Sequence, residues 1–473
     1  MISLTFAEIA EITGGEIAAP EGSSPPEIAA RSVTGPVVID SRRATPGSLF
    51  AALPGERADG HDFASAAAAA GAVAVLGTRP AGVLATIVVP DVPHALAALA
   101  RAVLERLPRA TVVGITGSSG KTSTKDLAGQ VVERLGPTIA PEGSLNNELG
   151  LPLTVLRADE DTRYLVLEMS ARGIGHIAFL CGIAPPRIGA VLNVGRAHAG
   201  EFGSMDGVAK AKGELPEALP ADGVAVLNAD DPRVIAMTGR TKARVVTFAA
   251  SAGTAADFRA DDVTLDDLGR ASFDLVTPTG SAPVTLKVHG AHHVANALAA
   301  AAIAAELGLG TADVAAALSA ATARSGKRME LHERPDGVLV INDSYNANPD
   351  SVRAGIEALA HITKSANRRG IAVLGHMAEL GDIEAASHEE AGRLAAAAGV
   401  AALIAVGEDA RPVLDGARGD KDWTGEAISV PEAGAVVSAL RNVLRPGDVV
   451  LVKASKAAGL WEVADGLLAE TNR

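Results

Sequence analysis

Short runs of apolar residues recur along the chain, and most of them end at a polar residue or at a turn. They predict strands at residues 37–39, 73–76, 86–89, 110–115, 164–168, 188–193, 224–228, 338–341, 371–374, 402–406 and 449–452. Strands that are apolar throughout are typical of parallel sheets buried on both faces. Residues 271–276 and 284–288 instead alternate between apolar and polar positions, which predicts a hairpin.

Helical spacing separates several of these runs. Leu127, Val131, Val132 and Leu135 recur at helical spacing, which predicts a helix over residues 123–135. Alanine-rich helices are expected at 64–70 and from His293 onward, and the proline-rich stretch 20–36 is expected to be a loop. The alternation predicts an α/β protein with three domains, at residues 1–108, 109–325 and 326–473.

The composition supports a multidomain globular protein and excludes some functions. The 473 residues are too many for one core, and 48% of them are hydrophobic. A formal net charge of −14 argues against a nucleic-acid partner, which needs a basic face. Cys181 is the only cysteine, so it is expected to be a buried small side chain. Neither a basic leader nor an apolar run of membrane-spanning length is visible, so we expect a cytoplasmic protein without membrane insertion.

The strongest local signal is the run Gly-Ile-Thr-Gly-Ser-Ser-Gly-Lys-Thr at residues 114–122. It lies between a predicted strand and a predicted helix, the arrangement that binds nucleotide phosphates through backbone N–H groups and a helix N-terminus. Lys121 adds a positive charge, and the Thr122 hydroxyl is a Mg²⁺ ligand in such loops. The general pattern has its first glycine where Ile115 stands, so the loop differs from that of GTPases and kinases. The predicted phosphate-binding residues are Gly114, Thr116, Gly117, Ser118, Ser119, Gly120, Lys121, Thr122 and Ser123.

Other polar residues follow predicted strands in the same region. Glu168 ends the strand 164–168, where a carboxylate is placed to hold Mg²⁺, although an ordinary strand-end acid fits as well. His198 follows the strand 188–193, and a lone histidine is more often structural than a ligand. Lys210 and Lys212 lie in an expected helix start, which is also compatible with a solvated face.

The order of these motifs closely resembles that of the Mur ligases of peptidoglycan synthesis. The resemblance rests on the phosphate loop, on residues 143–152 with their Asn-Asn-Glu, on Glu168, on Asn193 with His198, and on Ala-Lys-Gly-Glu at 211–214. Three further parts resemble the member that adds D-alanyl-D-alanine. They are Asp-Ser-Tyr-Asn-Ala-Asn-Pro at 343–349, residues 375–381 with His388, and the N-terminal residues 40–42, 47–53 and 59–61.

The resemblance implies a fold and a reaction. It implies a small N-terminal α/β domain that binds a UDP-sugar, a central ATPase domain with a parallel sheet, and a C-terminal Rossmann-like domain. ATP would phosphorylate the terminal carboxylate of UDP-N-acetylmuramoyl-tripeptide, and the amine of D-alanyl-D-alanine would displace phosphate from the acyl phosphate. Two Mg²⁺ ions and a lysine carbamate formed from CO₂ would assist, in a protein that is expected to be a monomer.

The resemblance also assigns roles to residues. It implies catalytic roles for Lys121, Lys212, His198 and Glu168, and metal ligation by Thr122, Glu168, His198 and Lys212 as its carbamate. Lys210 is the nearby rival for the carbamate. Nucleotide and metal contacts are implied for Asn146, Asn147, His292, Asn296, Arg328 and Asp343, and substrate contacts for Ser41, Arg42 and Asn348.

Two departures and three alternatives accompany the resemblance. His293 stands where the family usually has asparagine, and Lys453-Ala454-Ser455-Lys456 replaces the usual Lys-Gly-Ser-Arg. The alternatives are another Mur ligase, a folylpolyglutamate synthase, and a nucleotide-binding regulator without ligase activity. A folylpolyglutamate synthase lacks the UDP-binding N-terminal domain, so residues 40–42 argue against it. The third residue of the tripeptide, meso-diaminopimelate or lysine, is not specified by any motif.

Overall fold

The computed structural model describes residues 1–55, 58–141, 143–196 and 199–469. The chain divides into two compact units, of which the first comprises residues 1–114, 136–170 and 177–188. The second comprises residues 115–135, 171–176 and 189–473. In the part of the chain that the structure describes, none of the helices combines the length and the apolar character that crossing a membrane requires.

Strands and helices alternate through most of the described residues. The strands are β1 (Leu4–Thr5), β2 (Glu16–Ala18), β3 (Ser32–Val33), β4 (Val37–Val38), β5 (Leu49–Ala51), β6 (Ala74–Gly77), β7 (Ala85–Val88), β8 (Thr111–Thr116), β9 (Thr138–Ile139), β10 (Tyr164–Glu168), β11 (Ile188–Val191), β12 (Val224–Asn228), β13 (Arg244–Ala249), β14 (Phe258–Leu265), β15 (Arg270–Thr277), β16 (Gly280–His289), β17 (Glu330–Glu333), β18 (Leu339–Asp343), β19 (Gly370–Gly375), β20 (Ala402–Val406), β21 (Glu426–Val430) and β22 (Val449–Lys453). The helices are α1 (Phe6–Thr13), α2 (Pro25–Ala29), α3 (Ala64–Ala69), α4 (Val92–Glu105), α5 (Lys121–Val132), α6 (Gly150–Val155), α7 (His176–Ile183), α8 (Ala199–Phe202), α9 (Met205–Lys212), α10 (Glu214–Glu217), α11 (Pro232–Ile235), α12 (His293–Glu306), α13 (Thr311–Ala320), α14 (Pro349–Ser365), α15 (Glu384–Ala397), α16 (Pro412–Arg418), α17 (Ala433–Val443) and α18 (Trp461–Ala469).

The first unit contains a five-stranded sheet with the order β2-β7-β6-β5-β4. Strands β4 to β7 pair in parallel, and β2 adds to β7 in the antiparallel direction. Phe50 and Val75 of this sheet are buried against Ala64 and Ala67 of α3. Strand β9 pairs in parallel with β10, which ends at the fully buried Glu168.

The prediction of a loop over residues 20–36 is wrong in part. Helix α2 occupies residues 25–29 and strand β3 follows at 32–33. Proline is tolerated in the first turn of a helix, where the missing N–H has no intrahelical acceptor, so Pro25 and Pro26 can begin one.

The second unit contains strands β11 to β16 in consecutive order. The predicted hairpin is confirmed, because β14, β15 and β16 form an antiparallel meander. Strands β12 to β14 pair in parallel, and the apolar run of β12 is buried at all five positions.

A six-stranded sheet with the order β17-β18-β22-β19-β20-β21 follows in the same unit. Five of its strands are parallel, and β17 is an antiparallel edge strand. Ile341 and Leu451 face one apolar cluster, and Val340 and Val450 face the other. Both faces are therefore covered, since successive side chains of a strand point to opposite sides. The carboxyl ends of this sheet carry Asp343 and Lys453.

Candidate active site around the phosphate loop

The phosphate loop joins β8 to α5, as predicted. Gly120 begins the helix at a φ of 81°, a left-handed conformation that glycine adopts without strain. A Cβ atom at this position would lie 2.5 Å from the Asn296 Oδ1 atom. Lys121 donates a hydrogen bond to the Gly117 carbonyl at 2.7 Å, so its amine folds over the loop. Both observations fit a loop that closes around an anion.

Asn193 fixes the shape of this loop from the end of the neighbouring strand. Its side chain accepts a hydrogen bond from the Ser119 N–H at 2.9 Å and donates one to the Ser119 carbonyl at 3.2 Å. The Ser118 hydroxyl accepts a hydrogen bond from the Gly195 N–H at 2.8 Å. The sequence motif pointed to Asn193, but its contact with the loop was not predicted.

Asn296 and His293 support the same helix from α12. The Thr124 hydroxyl donates to Asn296 Oδ1 at 3.2 Å, and Asn296 lies 3.3 Å from the His293 ring nitrogen Nδ1. The rings of His292 and His293 have centroids 4.3 Å apart. Burial lowers the pKa of His292 to about 4, with Asp343 and Lys453 acting in opposite directions. Burial, followed by His292 and His289, also holds the pKa of His293 well below its ordinary value.

Lys212 is the buried member of the lysine pair. The prediction of a helix start here is wrong, because Ser204 caps α9 and both lysines lie in its last turn. Lys210 is exposed, whereas Lys212 is 4% exposed. Burial and then the positive charge of Lys121 hold the pKa of the Lys212 amine well below its ordinary value. A buried lysine with a lowered pKa is more often neutral, and it is then a nucleophile.

In the first unit, Glu168 forms a small polar cluster with Ser144 and Asn146. Its Oε2 atom accepts hydrogen bonds from the Ser144 hydroxyl at 3.1 Å and the Asn146 amide at 3.2 Å. Its Oε1 atom is buried and has no hydrogen-bond partner among the described residues. Such an oxygen fits a hard cation, because an unpaired buried carboxylate oxygen is costly and Mg²⁺ prefers oxygen ligands. Asn147 instead accepts from the Gly150 N–H at 2.8 Å and supports the start of α6.

The other predicted metal ligands are placed as follows. Thr122 is 3% exposed in the first turn of α5. His198 lies outside the described residues. Among residues 1–55, 58–141, 143–196 and 199–469, no three His, Cys, Asp or Glu side chains form a metal-binding group.

Residues around 328 and 343 form the C-terminal side of the site. Asp343 makes an ion pair with the buried Lys453 at 2.5 Å and accepts a hydrogen bond from the Met329 N–H at 3.2 Å. The Arg328 guanidinium lies 4.3 Å from the centroid of the Tyr345 ring. The Lys453 and Tyr345 contacts were not predicted.

A cavity of about 190 Å³ opens beside α5 in the second unit. Its lining includes Ser123, Asp126, His293, Ser325 and Arg328. The structure thus brings the predicted residues Ser123 and Arg328 together, along with His293, whereas His292 and Asn296 are outside the lining.

Asn348 brings the Asn-Ala-Asn-Pro motif to the phosphate loop. Its Oδ1 atom caps α14 by accepting a hydrogen bond from the Ser351 N–H at 2.9 Å. Its Nδ2 atom donates to the Ser118 carbonyl at 3.4 Å. The proline that follows is favourable at the first position of a helix, which explains the local motif.

The predicted UDP-sugar residues lie in short turns of the first unit. Arg42 is exposed and pairs with Asp40 at 2.7 Å, which lowers the pKa of Asp40 to about 2. Ser41 is 9% exposed. His61 is buried, contacts Asp59 at 2.7 Å, and accepts a hydrogen bond from the Thr78 N–H at 3.1 Å. The turn 59–61 therefore has a structural role in this unit.

The fold and the loop together define an α/β protein with a phosphate-binding loop. Residues 36–116 match the catalytic domain of the Mur ligase family, residues 115–304 its middle domain, and residues 327–456 its glutamate ligase domain. The chain is 51% identical to UDP-N-acetylmuramoyl-tripeptide–D-alanyl-D-alanine ligase of Mycobacterium tuberculosis H37Rv, over 99% of this chain and 98% of that one. The identity to the enzyme of the same name from Escherichia coli K12 is 35%, over 99% of each chain.

Solved structures agree with this relationship. A crystal structure of MurF from Acinetobacter baumannii matches with a TM-score of 0.85 and 30% identity, over 99% of both chains. MurF ligase from Thermotoga maritima in complex with ADP matches with a TM-score of 0.78 and 28% identity, over 93% of this chain and 98% of that one. The chain belongs to the Mur ligase family.

Proposed function

We propose that this chain is an ATP-dependent ligase that joins D-alanyl-D-alanine to UDP-N-acetylmuramoyl-tripeptide. The names of the relatives with 51% and 35% identity support the substrates, and the ADP complex of the Thermotoga maritima enzyme supports the nucleotide. The observation that carries the proposal is the phosphate loop with its folded-over Lys121 beside a buried Lys212. A regulator without catalysis has no need of a buried lysine there.

The proposed reaction activates a carboxylate, which is otherwise a poor electrophile. Transfer of the γ-phosphoryl group of ATP to the tripeptide carboxylate gives an acyl phosphate. Attack by the dipeptide amine forms the amide bond and releases phosphate. Lys121 and the N–H groups of the loop would hold the transferring phosphate, so the protein would act through alignment and charge stabilisation.

Magnesium would neutralise phosphate charge at this site when it is bound. Glu168 fits the ion because its Oε1 atom is buried without a partner among the described residues. Thr122 would share the first ion, while His198 and Lys212 would hold the second. The number of Mg²⁺ ions, two, is also part of the proposal.

Carbamylation of Lys212 by CO₂ is the further chemical element. The neutral amine attacks CO₂ and loses one proton, which gives an anionic carbamate with two oxygens in place of a side chain that is a cation when protonated. The lowered pKa of Lys212 and its burial support carbamylation at this residue. The exposure of Lys210 disfavours carbamylation there. Because the product is anionic, it would attract Mg²⁺ where an ammonium group would repel it.

The remaining residue assignments also stay proposals. Asn146 would act through Glu168, and Asn147 through the turn that begins α6. Arg328, His292, Asn296 and Asp343 would surround the nucleotide, with Arg328 reaching it from the cavity beside α5. Asn348 would face the dipeptide, and Ser41 with Arg42 would face the UDP-sugar.

We also propose three domains with boundaries near residues 108 and 325. The family regions at 36–116, 115–304 and 327–456 support these positions. The cytoplasmic location and the monomeric state stay predictions.

Release of ADP with and without D-alanyl-D-alanine tests the proposal. With UDP-N-acetylmuramoyl-tripeptide present, the dipeptide should raise ADP release strongly, and mass spectrometry should detect the pentapeptide product. A binding ATPase would ignore the dipeptide. Another Mur ligase would respond to a single amino acid instead. Parallel reactions with the meso-diaminopimelate and lysine tripeptides would identify the preferred third residue.

A further inference from the structure

Helix α5 and the residue that caps its C-terminus hold the segment 322–325 through three polar side chains, which belong to Asp126, Gln130 and Glu133. Their spacing of four and then three residues places them on one face of the helix and at its end. The segment they hold lies between the family regions 115–304 and 327–456. We call these three contacts the α5 clasp.

The first contact of the clasp is buried. Ser325 donates hydrogen bonds to Asp126 from its N–H at 2.8 Å and from its hydroxyl at 3.0 Å. Lys125 balances the carboxylate with an ion pair at 2.5 Å, and both of these α5 side chains are less than a tenth exposed. A buried charge with these partners fixes the position of Ser325, since leaving it unpaired is unfavourable.

The other two contacts lie further along the helix. Gln130 donates to the Thr322 carbonyl at 2.8 Å and accepts from the Thr322 N–H at 3.1 Å. Glu133 pairs with both terminal nitrogens of Arg324, one of them at 2.7 Å. The segment is therefore held at three of its four residues.

Arg328 follows three residues after Ser325 and has an unusual backbone on either side. Lys327 and Met329 have φ angles of 63° and 50°, in the left-handed region that is unfavourable for residues other than glycine. The Lys327 carbonyl accepts from the Tyr345 N–H at 3.0 Å, and the Met329 N–H donates to Asp343 at 3.2 Å. Strained backbone of this kind persists where surrounding contacts dictate it, and it is common at ligand sites.

We propose that the α5 clasp is a positioning element that sets Arg328 for binding the nucleotide. The proposal rests on the proposed function, which gives Arg328 its contact with ATP. Helix α5 begins with Lys121 and Thr122, so the same helix that receives the phosphates also fixes the segment leading to Arg328. Asp126, Ser325 and Arg328 line one cavity, which is consistent with this coupling. Asp126 and Ser325 are positioning residues here.

The test measures binding of a non-hydrolysable ATP analogue with Mg²⁺ by calorimetry. Ser325→Ala removes the hydroxyl that donates to Asp126 and accepts from Lys125, and it should weaken binding about 3- to 10-fold. The KM for ATP should rise to match, with little change in kcat. Ser387→Ala is the matched control, because Ser387 is equally buried on α15 and has no part in the clasp.

A double-mutant cycle separates positioning from general destabilisation. If the clasp acts through Arg328, Ser325→Ala should have almost no further effect on binding in an Arg328→Ala background. Independent, additive losses would overturn the proposal. The proposal would also be overturned if both Ser325→Ala and Gln130→Ala bound the analogue as tightly as the unmodified chain does.

If Ser325→Ala does not fold, variants at the exposed end of the α5 clasp still test the proposal. Gln130→Ala and Arg324→Ala should each weaken analogue binding at least about 2-fold, through loss of a contact to the segment. Arg244→Ala breaks a comparable exposed ion pair with Glu306 and should leave binding unchanged. The two proposals fail in different experiments, because analogue binding needs no dipeptide. The ligase proposal is tested by dipeptide-dependent ADP release in the unmodified chain, and the clasp proposal is tested by analogue binding in the variants.

Discussion

Lys121 and Lys212 are electrostatically coupled. Burial lowers the pKa of the Lys212 amine, and the positive charge of Lys121 lowers it further. Two cations beside a phosphate-binding loop would repel each other and would also repel Mg²⁺. The coupling therefore favours a neutral Lys212 amine, which is the form that reacts with CO₂.

Replacement of Lys212 tests this chemistry. Lys212→Ala should lower kcat by about 10²-fold or more, since it would remove a charged ligand from the phosphate site. A small carboxylate such as acetate should restore part of the rate by occupying the space of the carbamate. Steady-state rates with and without acetate provide the measurement.

The exposed neighbour serves as the matched control for that experiment. Lys210→Ala should keep the rate of the unmodified chain, because Lys210 is exposed in the same helical turn. Removal of dissolved CO₂ should reversibly lower activity. An inactive, acetate-rescued Lys210→Ala variant, or a fully active Lys212→Ala variant, would refute the assignment.

Lys121→Ala should abolish turnover while leaving the fold intact. The Lys121 side chain is half-buried and its amine donates a hydrogen bond to the Gly117 carbonyl of the loop, so the substitution leaves core packing intact, whereas transition-state stabilisation of about 10²-fold or more is lost. ADP release measures the rate, and circular dichroism with thermal melting checks the fold. Lys242→Ala, on an exposed lysine of the same unit, is the control. A folded and active Lys121→Ala variant would contradict the phosphate-loop assignment.

Glu168→Gln should strongly reduce the affinity for Mg²⁺, with only a small change in the free energy of unfolding. Glutamine keeps the shape and an oxygen for Ser144 but removes the charge, and the buried Oε1 atom, which has no hydrogen-bond partner among the described residues, suits a cation ligand. The Mg²⁺ concentration for half-maximal activity should rise about 10-fold or more. Glu160→Gln, at an exposed position, is the control. An unchanged Mg²⁺ dependence would show that Glu168 is an ordinary strand-end acid.

Local motifs made the centre of the site predictable. Strand, glycine turn and helix follow one another over residues 111–132, so sequence spacing alone placed Lys121 and Thr122. Two of the strands that were missed show why: β21 (Glu-Ala-Ile-Ser-Val) is an edge strand with only its last residue buried, and β5 is buried but only three residues long. Helix α2 was missed because two prolines at its start resemble a loop.

Contacts between distant parts of the chain could not be predicted in the same way. Asp126 and Ser325 are 199 residues apart, and neither residue type indicates its partner. The difference between Lys210 and Lys212 depends on which side of α9 is covered, and α9 ends where a helix start was expected. Burial decides such cases, and a single sequence does not display it.

The paired histidines of α12 should make folding stability depend on pH. Burial lowers the pKa of His292 to about 4 and that of His293 well below its usual range, so both rings stay neutral in the folded chain near pH 5. The unfolded chain, with histidine pKa values near 6.5, binds more protons there. Stability is therefore complete above pH 6.5 and falls as pH decreases toward 4, by up to about 1.4 kcal/mol per pH unit for each histidine.

Urea unfolding at pH 7.5, 6.5 and 5.5 measures this dependence, and His293→Asn isolates one of its sources. Asparagine does not titrate, so the variant should lose less stability than the unmodified chain between pH 6.5 and 5.5. His94→Asn, at an exposed position on α4, is the control variant and is unfolded at the same pH values. If the free energy of unfolding changes equally with pH in the unmodified chain and in His293→Asn, then burial does not keep His293 neutral. Only a histidine whose pKa is lowered in the folded chain gains protons on unfolding in this pH range.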